Sequence, residues 1–210
     1  MVRCGWLLLI ALTLSACTTF ATVQPARISS GPSFHAQATV AAPPGELPGW
    51  IWSFDCAEGC NHSIPGVEIG ASIGVSGPTR RFSVGGGVMA PLTPFLEAYW
   101  QIAGEPSPSG VGARVGVPVN GWGEYRVFYR RELSSSVITN THAVVATGSS
   151  PNGANTATFV ALLQSIGLLE RGSTAIAIPA VSIGVSHTTR ERHGERETAF
   201  GLMAIGSIGI

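Results

Sequence analysis

Apolar and small or polar positions alternate with a period of two along most of the chain. One parity holds Phe34, Ala36, Ala38 and Val40, then Val67, Ile69, Ala71, Ile73 and Val75, then Phe82, Val84 and Val88. It continues with Leu96, Ala98, Trp100 and Ile102, with Val111, Ala113, Val115, Val117 and Val119, and with Tyr125, Val127 and Tyr129. Successive side chains of an extended strand point to opposite faces, so each run predicts a β-strand with one apolar face. Further runs cover 140–147, 174–187 and 197–208. Gly77-Pro78, Asn120-Gly121 and Ser149-Ser150-Pro151-Asn152-Gly153 separate the runs, and Asn-Gly between two alternating segments is the strongest hairpin signal. Such short links predict antiparallel neighbours: an all-β meander closed into a small barrel of about 8–10 strands. One stretch breaks the pattern. Phe159, Leu162, Leu163, Ile166 and Leu169 are spaced as one helix face, so a short helix near 155–169 and a further strand both fit.

Composition changes what the two faces mean. Of 210 residues, 45% are hydrophobic, 27 are Gly and only 11% are charged. All 12 basic residues are Arg, and Asp55 is the single aspartate. A sheet facing water covers its outer face with Lys, Glu, Asp and Thr, which this chain lacks in quantity. A membrane barrel has the opposite need, apolar outward and small or polar inward. In lipid every backbone group must be paired, which demands closure. On that reading Glu68, Glu97, Arg114, Glu124 and Arg126 point inward as a charge network, because buried charges persist only when paired. The balance of 12 acidic and 12 basic residues gives no surplus of cations for phosphate, so no nucleic-acid partner is expected. The chain carries no GxSxG, HExxH, P-loop or dinucleotide fingerprint. No catalytic residue, no cofactor and no metal site is predicted. Ser186 and His187 are adjacent, and neighbours on a strand face opposite ways.

The N-terminus reads as an address. Met1-Val2-Arg3 precedes an apolar run from Gly5 to Leu14, too short to cross a bilayer and of signal-peptide length. It ends in Leu14-Ser15-Ala16-Cys17, which resembles the lipobox of bacterial lipoproteins. The resemblance implies that 1–16 is a removed signal peptide, that Cys17 is lipidated, and that 17–33 is a lipid-anchored linker before a barrel domain over 34–210. Thr18 in place of the aspartate that marks inner-membrane retention implies the outer membrane of the cell envelope. In an oxidising compartment Cys56 and Cys60 are expected to form a small-loop disulfide, whereas Cys56, Cys60 and His62 lack a fourth metal ligand.

Residues 34–210 resemble small outer-membrane β-barrels, in particular glycine-rich, lipobox-bearing barrel proteins. The chain departs from that pattern in ending on Ile210 rather than an aromatic residue. The resemblance implies a lipid-anchored outer-membrane barrel with a structural or narrow-pore, small-molecule transport role and the membrane as partner. Two other classes stand beside it: a periplasm-facing lipoprotein whose sandwich or soluble barrel binds an apolar ligand or a protein, and an outer-membrane lipid-modifying enzyme. In the barrel reading, 41–66 is a long outer loop, 77–80 a short inner turn, and 188–195 a charged outer loop.

Overall fold

The computed structural model describes residues 22–42, 64–77, 81–89, 93–119, 122–149, 155–171, 176–192 and 194–210. These form eleven strands: β1 (Gly31–Ala42), β2 (Ile64–Ser76), β3 (Arg81–Met89), β4 (Thr93–Ala103), β5 (Ser109–Val119), β6 (Trp122–Glu132), β7 (Val137–Ser149), β8 (Asn155–Leu168), β9 (Glu170–Arg171), β10 (Ile176–Arg192) and β11 (Glu195–Gly209). Consecutive long strands pair antiparallel, and β11 pairs with both β10 and β1, which closes a ten-strand barrel. The two-residue β9 pairs only with the start of β10. Among the described residues there is no helix.

The register sets the tilt. A row of partners from His35 runs through Gly70, Gly87, Phe95, Gly116, Glu124, Ala146, Phe159 and Thr188 to Ala199. Ala199 lies ten residues before Gly209, the partner of Gln37, so the row rejoins the line of β1 twelve residues beyond its start. For ten strands a stagger of this size gives a tilt of about 40°.

Residues 155–168 are strand β8, not helix. Phe159, Ala161 and Leu163 face inward, while Val160, Leu162 and Ile166 face outward. The helical spacing arose because both faces of this strand are apolar. The charged segment 188–195 is likewise not a loop. β10 and β11 continue through it as a hairpin whose opposed partners are Arg190 with Glu197, Glu191 with Arg196, and Arg192 with Glu195. Glu191 and Arg196 set opposite charges across the ladder, which supports pairing, and Gly194, at φ 85°, supplies the left-handed turn residue. The Asn-Gly hairpin stands as expected in its flanks, with Val119 opposite Trp122. Cys17, Cys56, Cys60 and residues 43–63 of the outer loop lie outside the described residues.

Side chains sort by face. Phe34, Leu96, Trp100, Ile183, Leu202 and Phe200 point out and are exposed, up to 82% for Phe200. Inward positions of β1–β3 are mostly small, with Glu68 and His35 as exceptions, while those of β4–β6 carry most of the ionic and aromatic groups.

Candidate functional site

The lumen holds two structures, an ionic cluster and a stretch of the chain itself. The cluster follows from strand parity. On β6, Glu124, Arg126, Phe128, Arg130 and Glu132 all face inward, and β4 contributes Phe95, Glu97 and Tyr99. Arg114 on β5 is fully buried and joins two carboxylates: Nη1 donates to Glu68 Oε2 at 2.6 Å, and Nη2 and Nε donate to Glu97 Oε2 at 2.6 and 3.0 Å. Its guanidinium lies 4.0 Å from the centre of the Phe95 ring. His35 Nε2 sits 3.1 Å from the other oxygen of Glu68. Arg130 Nη2 donates to Glu97 Oε1 at 2.7 Å and packs over Phe128 and Tyr99, whose rings are stacked at 6.1 Å. Arg126 Nη2 donates to Glu124 Oε1 at 2.6 Å. Desolvating these charges is costly, and near-ideal pairing with cation–π contacts offsets that cost.

Of the residues expected in the network, Glu68, Glu97 and Arg114 form one unit and Glu124 with Arg126 a second. Arg130, Glu132, His35 and His142 were not anticipated. The signal for Arg130 and Glu132 was present, since both continue the inward parity of β6. His142, opposite Phe128 on β7, is buried with both ring nitrogens lacking a hydrogen-bond partner among the described residues.

The larger surprise is residues 22–30. Expected as part of a lipid-anchored linker over 17–33, they enter the barrel, with Thr22 and Ala26 at 1% and 0% exposure. Gly31, at φ 97°, begins β1 next to them. The segment has no alternation and joins no ladder; wall side chains satisfy its backbone instead. Gln37 Oε1 accepts from the Val23 N–H at 3.0 Å, Gln101 Oε1 from Ile28 at 3.1 Å, and Glu132 Oε1 from Arg27 at 2.9 Å. Tyr99 donates its hydroxyl proton to Ala26 O at 2.7 Å, and Asn140 Nδ2 donates to Thr22 O and Gln24 O at 3.2 Å each. Arg126 Nη1 also donates to Thr22 Oγ1. Val23 packs with Ile138, Leu169, Ile178 and Ala180, and Ile28 with Tyr99 and Phe128. Beside the segment, a cavity of about 600 Å³ is lined by Ser33, His35, Ser72 and Arg130 together with the apolar Ile28, Leu169 and Ile178.

Ser186 faces the lumen and donates weakly to Gly201 O at 3.5 Å, whereas the His187 ring lies against Phe200 at 4.5 Å. The two share no site. Among the described residues no group of three or more His, Cys, Asp or Glu side chains is placed to hold a metal ion. Comparison with protein families, curated proteins and solved structures gives no match to this chain.

Proposed function

We propose that this protein is a lipid-anchored outer-membrane β-barrel, held through Cys17 and spanning the bilayer, with a closed lumen and a structural role. One observation carries the reading: apolar side chains face out around the barrel while the buried ion pairs face in. Exposing Phe34, Leu96, Ile183 and Leu202 to water around a whole barrel would drive association, whereas in lipid the same groups are solvated. The strand lengths support it, since nine residues in β3 and 11 in β4–β6 suit a tilted crossing. So does a row of outward aromatics, in which Phe82 opposes Trp100, Trp100 opposes Val111, and Val111 opposes Tyr129. Such rows mark the interface in barrels.

Fractionation of a Cys17→Ala variant is the test. A membrane-spanning barrel stays in the membrane fraction after a urea wash and migrates differently on SDS gels before and after boiling. Release into the soluble fraction, with identical migration, overturns the reading in favour of a soluble domain tethered only by its lipid.

A further inference from the structure

We propose that the lumen is a path for small polar solutes which residues 22–30 hold shut, so that the barrel has a pore activity released when this segment detaches. The inference rests on the membrane-barrel reading and adds an activity to it. First, the wall is complete without the segment. The ring closes through β1 and β11, and among the described residues no backbone–backbone hydrogen bond ties 22–30 to a strand. Among the described residues, the bonds to the segment's backbone come from side-chain tips: Gln37, Tyr99, Gln101, Glu132 and Asn140. Detachment therefore leaves the ladder intact. The junction is Gly31, a glycine at positive φ where a Cβ would meet no neighbour.

Second, the segment borders a cavity whose walls mix serines with apolar groups such as Ile28, Leu169 and Ile178. Ser33, Ser72, Gly74 and Ser83 line the cavity beside it, whose roughly 600 Å³ is room for about 20 waters at ~30 Å³ each. Third, the ionic cluster is balanced within itself, and among the described buried carboxylates only Glu132, 3.7 Å from Arg27 of the segment, loses its cation when the segment leaves. Arg114, Arg126 and Arg130 are matched by Glu68, Glu97 and Glu124, and aromatic rings hold two of the guanidiniums in place. Such a lining gives no more than a weak preference for cations.

The full-length protein in planar bilayers bathed in KCl tests this. Wild type is expected to open rarely. The Gln37→Ala/Gln101→Ala/Asn140→Ala variant loses four of the segment's attachments and should open at least about tenfold more often, with weak selectivity between K⁺ and Cl⁻. A lock completes the design. A Cβ at Gly167 falls 2.9 Å from Val23 Cγ1, within disulfide reach for Val23→Cys/Gly167→Cys. Added to the triple variant, this bridge should silence it when oxidised, and reductant should restore the openings. A triple variant that is heat-modifiable yet as silent as wild type overturns the proposal. So does a wild type that conducts as freely as the variant. Protein that enters no bilayer and migrates identically boiled or unboiled instead marks failure of the membrane-barrel reading itself.

Discussion

Arg114 shows how one buried charge organises the lumen. Its guanidinium faces Glu68 and Glu97 at 2.6 Å each, and removing it leaves both carboxylates buried without that partner. Arg114→Met is expected to cost on the order of 3–5 kcal/mol, measured by urea unfolding of the folded protein in detergent. Adding Glu68→Gln should recover part of the loss, because position 68 then needs no counter-charge, while Glu97 keeps its pair with Arg130 at 2.7 Å. Arg131, one position out of phase and exposed, is the control, and Arg131→Ala should change stability by less than about 0.5 kcal/mol. Equal losses at the two arginines would mean that inward parity does not distinguish them. This much was legible in the sequence: parity alone put Glu97, Arg114 and Arg126 on one face. Which carboxylate each arginine takes was not, since Glu68 and Arg114 are 46 residues apart and meet only through closure.

Strand β8 makes the same point at the scale of an element. Its pattern could not distinguish helix from strand because both faces are apolar, one meeting the lumen and the other the outside. Only its neighbours decide, with Leu162 opposite Ala143 on one side and Val185 on the other. The environment of the outer face is then measurable. At the middle of a bilayer an outward arginine costs about 2–4 kcal/mol. On a water-facing surface the same change costs under about 0.5 kcal/mol. Leu162→Arg and Ile183→Arg should therefore destabilise the protein in lipid vesicles by the larger amount, while Thr198→Arg, on the charged hairpin, should not. Near-neutral effects at all three positions would place the belt in water. Residues 22–30 were illegible for a different reason. Local pattern reports strands and helices, but this segment takes its bonds from side chains as far as 118 residues away.

For the whole molecule the decisive feature is the seam. The last residues of β11 lie between β10 and β1: Ser207 pairs with Ala180 and Thr39, and Gly209 with Ile178 and Gln37. Beyond the ladder, Ile210 exchanges two backbone bonds with Ala36, at 2.9 and 3.0 Å. Deleting residues 207–210 would leave stretches of both neighbouring strands without partners. On the membrane reading each orphaned N–H or C=O then lies in hydrocarbon and costs several kcal/mol, so a small gap costs more than the deleted side chains contribute. The truncated chain is expected to lose the heat-modifiable form altogether, while the triple variant that loosens residues 22–30 keeps it. The contrast separates two kinds of contact with the same wall. Backbone pairing at the seam makes the barrel, and side-chain bonds in the lumen only fill it. A truncated chain that still runs as a compact species before boiling would show that closure does not depend on β11.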